Sequence, residues 1–161
     1  MIAPTRLRPA GVNDLPFILR QERGYIETIE PAALQGWQAA LDRNLALWIG
    51  CLPHTLFCVD ANGQSLGFAM WRPDRGTATL VSIQVLHSHR RQGLGKLLLE
   101  AFEQRASVGG AGVAKLGVHQ SNPARLLYQG AGYNPAGQDG DYLLFSKSLG
   151  EKVLEHVHPV M

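Results

Sequence analysis

Cysteine is scarce in this chain, and so is net charge. The two cysteines, Cys51 and Cys58, form neither a disulfide framework nor a Cys-x-x-Cys pair. Cys51, His54 and Cys58 could gather around zinc, but no fourth ligand is evident, so no metal site is expected. Cys58 lies in an apolar run and reads as a buried thiol. A net charge of +2 is too small to argue for nucleic acid or a membrane surface as a partner. No apolar run reaches the length of a membrane span. Met1 to Arg6 lack the apolar core of a signal peptide. Internal repeats and low-complexity tracts are missing too. What remains is one domain of ordinary globular composition, large enough for its own core, with the cytoplasm as the expected compartment.

The stretch that organises the chain runs from Thr77 to Arg105. Thr77 to Leu86 is β-branched and mostly apolar, as a buried strand is. Leu94, Leu97, Leu98, Ala101 and Phe102 recur at helical spacing, with Lys96, Glu100, Glu103 and Gln104 between them. Joining the two is a basic, glycine-bearing turn that includes Arg90-Arg91-Gln92-Gly93-Leu94-Gly95-Lys96. The first N–H groups of a helix have no partner within it and carry the positive end of its dipole. Glycine lets an anion approach the backbone closely. Arg90, Arg91 and Lys96 add charge, so the turn is a candidate pyrophosphate cradle.

Two common cradles do not fit. A P-loop needs Gly-x-x-x-x-Gly-Lys-Ser/Thr, but Leu97 follows Lys96 and the first glycine is missing. With that pair and an obvious magnesium carboxylate absent, a nucleotide-using phosphotransferase is disfavoured. A dinucleotide fingerprint needs a third glycine where Leu98 stands. What is left is Arg-x-x-Gly-x-Gly, from Arg90, Gly93 and Gly95. It resembles the acetyl-CoA signature of the GCN5-related N-acetyltransferase (GNAT) superfamily, Arg/Gln-x-x-Gly-x-Gly/Ala. A second block, Asn122 to Tyr133, resembles that family's other signature: an Asn, a short helix, Leu127-Tyr128, then Gly132-Tyr133. The resemblance covers roughly residues 5–147.

The rest of the pattern fits around these blocks. Thr5 to Pro9 suit a first strand. Asn13, Asp14 and Pro16 open a helix expected to end near Gly24. Pro31 opens a second, with Leu34, Trp37, Leu41, Leu45 and Trp48 on one face, stopped by Gly50 and Pro53. Thr55 to Asp60 and Ser65 to Trp71 form a hairpin about Asn62-Gly63. Ala114 to His119 follow the central helix as a strand parallel to the one before it. Asn122 or Ser121 caps a short helix beginning at Pro123; Tyr133 starts another strand and Gly140 to Lys147 the last.

The resemblance implies an α+β fold with α/β/α layers. Its sheet is mixed and mostly antiparallel, of about six to seven strands with a splayed parallel pair, flanked by about four helices. Residues 1–149 would be a single acetyltransferase domain. Residues 150–161 would be a tail, with Val153, Leu154 and Val157 compatible with a short helix that docks on the domain or on a second subunit of a homodimer.

The implied activity is acetyl-CoA-dependent transfer to a primary amine, of a small molecule or of a protein or peptide. Gln92, Gly93, Leu94, Gly95 and Lys96 would hold the pyrophosphate with their N–H groups, helped by the Arg90 and Arg91 side chains. Val85 and Leu86 would bind the pantetheine arm, and one of them would supply an N–H to the developing oxyanion. Asn122 would hydrogen-bond the cofactor arm, and Tyr128 would bind near the sulfur and protonate the leaving thiolate. The base is open. Where many relatives carry a strand glutamate, this chain has Ser82 and Gln84; where others carry one before the Asn, it has Gly117. Glu22, Glu27, Glu30 and His119 are the alternatives, with Glu27 and His119 the catalytic candidates beside Tyr128. His87 and His89 read as surface or cofactor-rim residues, and Asp139 and Asp141 as turn residues that could also meet a cationic acceptor. Tyr25, Trp37, Phe68 and Trp71 are candidate pocket walls. A non-catalytic acyl-CoA sensor is the alternative, favoured by the missing glutamate and opposed by Tyr128.

Overall fold

The computed structural model describes residues 4–150. The expected tail helix falls on residues 151–161 and lies outside the described residues. The strands are β1 (Thr5–Pro9), β2 (Thr55–Asp60), β3 (Ser65–Asp74), β4 (Thr77–Val85), β5 (Val113–His119), β6 (Asn134–Asp139) and β7 (Tyr142–Ser148). The α-helices are α1 (Leu15–Ile29), α2 (Leu34–Ala39), α3 (Leu41–Cys51), α4 (Leu94–Val108) and α5 (Arg125–Gly130). The strands make one mixed sheet in the order β1-β2-β3-β4-β5-β7-β6, with β4 and β5 parallel. Among the described residues no helix is long and apolar enough to cross a membrane.

Two compact units divide the chain, and β3, β4 and α4 pass through both. The first unit holds Met1–Met70 and Ser82–Leu98. Here β1 pairs antiparallel with β2, and β2 with β3. The β2–β3 turn forms because the Asp60 carboxylate accepts from the N–H groups of Asn62 and Gln64, both at 2.9 Å. Gly63 supplies the left-handed residue of that turn, at φ 81°. Aromatic rings meet within the otherwise aliphatic core of this unit. Phe17 meets Phe57 edge-on at 5.5 Å, and Phe57 stacks with Phe68 at 5.4 Å. Cys58 is buried beside them in sequence, and both cysteines are thiols rather than halves of a disulfide.

Sequence and structure part over the helices. Gly24 does not end α1, which runs on to Ile29. The face begun by Ile18 continues through Tyr25, Ile26 and Ile29, and that periodicity outweighs the roughly 1 kcal/mol cost of an interior glycine. The second expected helix is broken in two. Ala40 leaves the helical region at φ −100°, ψ 16°, so α2 ends and α3 starts afresh. Trp37 and Trp48 still meet across that break, 6.3 Å between ring centres. Thr55 closes the far end of α3 by donating to the Cys51 carbonyl at 2.7 Å.

The second unit holds Trp71–Val81 and Leu99–Met161. The parallel register sets Thr77, Ala78 and Thr79 of β4 against Val113, Ala114 and Lys115 of β5. β5 pairs antiparallel with β7 along its whole length, and β6 closes back on β7 as a hairpin. Alternate residues of β5, namely Ala114, Leu116 and Val118, are buried, as the two-residue period of a strand requires. Gly117 faces the other way; a Cβ there would stand 3.3 Å from Leu144. Trp71 and Phe102 meet at 5.5 Å, and Tyr128 and Tyr133 at 6.0 Å.

Candidate active site

In the first unit the strand hands over to the helix through residues 86–93. Leu86 donates its N–H to the Leu66 carbonyl at 2.8 Å. A 3-10 turn, His87–His89, follows, and Arg90 is extended at φ −71°, ψ 160°. Arg91 then adopts a left-handed conformation at φ 63°, and Gly93 another at φ 82°. For arginine that geometry costs on the order of 1 kcal/mol, a strain of the kind proteins keep where a turn must hold a particular shape. Left-handed residues interleaved with others turn successive N–H groups inward, which makes an anion-binding concavity. Leu94 is buried and pins the start of α4. The first helical bond is Leu97 N–H to the Gly93 carbonyl at 3.0 Å, so Leu94, Gly95 and Lys96 occupy the turn whose N–H groups lack an intrahelical partner. Arg90, Arg91, Gln92, Gly93 and Lys96 are exposed. Arg90 also reaches back, its Nε donating to the Val85 carbonyl at 3.4 Å. Three cationic side chains, Arg90, Arg91 and Lys96, and a helix dipole thus face solvent at one bend.

Just before the bend, β4 separates two residues that the sequence left as alternatives. The Leu86 N–H is taken by Leu66. Consecutive N–H groups of an extended strand point in opposite directions, so the Val85 N–H points away from β3. Val85 is therefore the better placed of the two to donate to an outside oxygen.

Gln84 stands next to it and finds a partner on α1. Its Nε2 donates to the Glu22 carboxylate at 3.0 Å, and lies 3.4 Å from the Ser82 hydroxyl. Burial pushes the Glu22 carboxyl up to about 7, and the Ser82 and Gln84 hydrogen bonds only partly oppose it. The residue as a whole is half-buried, while its carboxyl is the buried part. Glu27 has a different setting. It is exposed on the same helix and meets Arg23 at 3.5 Å in an i, i+4 pair. Glu30 accepts from the Tyr25 hydroxyl at 2.6 Å. One signal could have singled Glu22 out: it lies four residues after Ile18 and four before Ile26, an acid on the apolar stripe of α1.

The second unit brings His119, Asn122 and Tyr128 into one local framework. The Asn122 N–H donates to the His119 carbonyl at 2.8 Å, and its side-chain oxygen accepts from the Ala124 N–H at 2.9 Å. This is an Asx-type turn rather than a helix cap: α5 starts at Arg125 with Ala124 as its N-cap and no side-chain cap bond, so the helix expected from Pro123 begins two residues later. Tyr128 bonds back to Ala124 through its N–H at 3.3 Å, and its side chain is only 7% exposed. Burial raises its hydroxyl to about 12, so at neutral pH Tyr128 is a neutral donor. His119 offers Nδ1 to the Ser121 N–H at 3.1 Å and sets its ring against Tyr142 at 5.4 Å. Sequence reasoning missed the polar group nearby: Glu103 meets Lys147 at 3.0 Å, and Lys147 lies over the Tyr133 ring at 5.6 Å.

Comparison with known proteins gives these features a context. Residues 53–135 match the family model described as an acetyltransferase (GNAT) domain. The chain is 31% identical over 144 residues to the L-methionine sulfoximine/L-methionine sulfone acetyltransferase of Pseudomonas aeruginosa, covering 82% of this chain and 81% of that one. It is 37% identical over 73 residues to the [ribosomal protein bS18]-alanine N-acetyltransferase of Haemophilus influenzae; that match covers 45% of this chain and spans only 50% of the relative's length. Among solved structures, a PaiA N-acetyltransferase from Thermoplasma acidophilum in complex with coenzyme A superposes with a TM-score of 0.77 at 17% identity, covering 90% of this chain and 99% of that one. The last likeness bears on the fold alone.

Proposed function

The chain belongs to the acetyltransferase (GNAT) family, and from that premise we propose that it moves an acetyl group from acetyl-CoA to a primary amine by direct attack on the thioester. The acceptor is an amine of a small molecule or of a protein or peptide. Similarity to relatives named for a methionine derivative and for a ribosomal-protein alanine supports an acceptor of amino-acid type. The observation that carries the reading is the bend at Arg90 to Lys96, where left-handed Arg91 and Gly93 precede the open first turn of α4.

The residues divide the work by chemistry. Bound at the bend, acetyl-CoA supplies the activated acyl carbon. Gln92 to Lys96 hold its pyrophosphate through backbone N–H groups, with Arg90 and Arg91 beside them. Val85 donates its N–H where negative charge develops on the carbonyl oxygen, the kind of fixed donor worth about 3 kcal/mol in such sites. Asn122 binds the cofactor arm. Tyr128, neutral at pH 7, gives a proton to the sulfur that leaves. The C–N bond forms, the C–S bond breaks, and the amine's proton must go to a base.

The test is release of free thiol from acetyl-CoA over a panel of amines. Release that depends on the amine is expected. Tight binding without release would instead favour an acyl-CoA sensor of the same fold. Gly93→Ala puts a Cβ on a left-handed residue at φ 82° and should weaken coenzyme A binding by about tenfold, read by calorimetry. Unchanged binding would remove the bend from the cofactor site.

A further inference from the structure

We propose that Glu22, held against β4 by Gln84 and Ser82, accepts the proton of the acceptor amine. This rests on the transferase reading above and fills the step that reading leaves without a residue.

The positions fit the chemistry. Gln84 bonds to Glu22 at 3.0 Å, and the next residue of the same strand, Val85, is the one with its N–H turned away from β3. The proton acceptor is thus fixed to the strand that would polarise the thioester carbonyl. A base fixed there is pre-positioned rather than recruited from solvent.

Glu22 also has a different charge environment from its neighbours. On α1, Arg23 and Glu27 answer each other at 3.5 Å. Before the helix, Asp14 is held by Arg8 at 2.8 Å. After it, Glu30 takes the Tyr25 hydroxyl. From β4 the groups that meet Glu22 are Ser82 and Gln84, and neither titrates. A carboxylate without a cation is a stronger proton acceptor than one tied to arginine. With its carboxyl raised to about 7, Glu22 is partly ionised at neutral pH and matched to that range.

The proton balance is simple. One proton leaves the ammonium form of the acceptor for a Glu22 oxygen, freeing the lone pair that attacks. After transfer the carboxyl gives that proton up to solvent once product leaves, and the cycle restarts with the carboxylate. The distance in pKa also separates acceptors: it is about 1 for an α-amine and about 3 for a lysine-type amine. The site should therefore prefer α-amines.

The experiment is kcat/KM against pH for thiol release, with wild type, Glu22→Gln and Gln84→Leu. Wild type should rise through an apparent pKa near 7 to a plateau. Glu22→Gln should lose about a hundredfold in kcat, keep its KM for acetyl-CoA, and lose that limb. Gln84→Leu removes a bond that favours the charged form, so its limb should move to higher pH; a merely structural Gln84 would scale the rate equally at all pH values. If Glu22→Gln does not fold, the Gln84→Leu shift decides. Wild-type activity with an unchanged limb in both variants overturns the role of Glu22 alone. No thiol release from wild type overturns the transferase reading as well.

Discussion

Asp14 stands just before α1 and Glu22 in its middle, and the surroundings of these two carboxylates drive them in opposite directions. Arg8 donates two bonds to Asp14, at 2.9 and 2.8 Å, and the Gly11 N–H adds a third at 2.9 Å. Asp14 is 8% exposed, yet its carboxyl is held below the usual range because the Arg8 bonds outweigh its burial. Among the described residues Ser82 and Gln84, both neutral, are the partners of Glu22, and there burial wins. Burial alone therefore does not decide what an acid does; the nearest cation does. The paired acid fastens β1 to the start of α1, while the unpaired one keeps its proton close to neutrality.

Three perturbations separate the two settings. The largest effect should come from Gly67→Ala. A Cβ there would lie 2.5 Å from the Gln84 carbonyl oxygen and 3.2 Å from the Val85 Cα, so β4 would have to move away from β3 just where Gln84 meets Glu22. A loss of about 3 kcal/mol in denaturant unfolding is expected. Next is Asp14→Asn, which leaves Arg8 without its carboxylate and should cost about 2 kcal/mol at neutral pH, Arg8 being partly exposed. Because the folded-state pKa is depressed, this stability is present above the unfolded value and fades as pH falls through the folded one. Variant and parent should converge in acid.

The smallest effect has the opposite sign. Glu22 has a raised folded pKa, so its contribution is full below the unfolded value near 4.5 and is lost as pH rises through about 7. Above that pH the buried charge works against the fold. Glu22→Gln should be more stable than wild type by about 1.5 kcal/mol near pH 9 and equal to it near pH 3.5. A variant less stable at both values would make Glu22 a structural residue like Asp14.

Local chemistry was legible in the sequence; partnerships across distance were not. The strand, bend and helix from Thr77 to Arg105 announced themselves by a change of period around a glycine pair, and β4 and α4 lie there. Asn62-Gly63 gave the β2–β3 hairpin, whereas Asn122 marks only a turn and α5 starts at Arg125 without a side-chain cap. Gly24 misled, because an apolar stripe can carry a helix through a glycine. The break at Ala40 has no glycine or proline to mark it. Glu22 stands out in sequence only by its place on the apolar stripe; its partner Gln84 lies 62 residues away, whereas Arg23 is four from Glu27. Val85 and Leu86 likewise became distinct only once Leu66 had claimed the Leu86 N–H.

The contrast between the two acids can be measured without substrate, by following side-chain carboxyl carbons in carbon-13 NMR as pH is changed. One glutamate should titrate near 7 and vanish from the spectrum of Glu22→Gln, while Asp14 titrates below the ordinary aspartate range. If every glutamate titrates below about 5 instead, Glu22 is an ordinary solvated acid and the base assigned to this site is wrong.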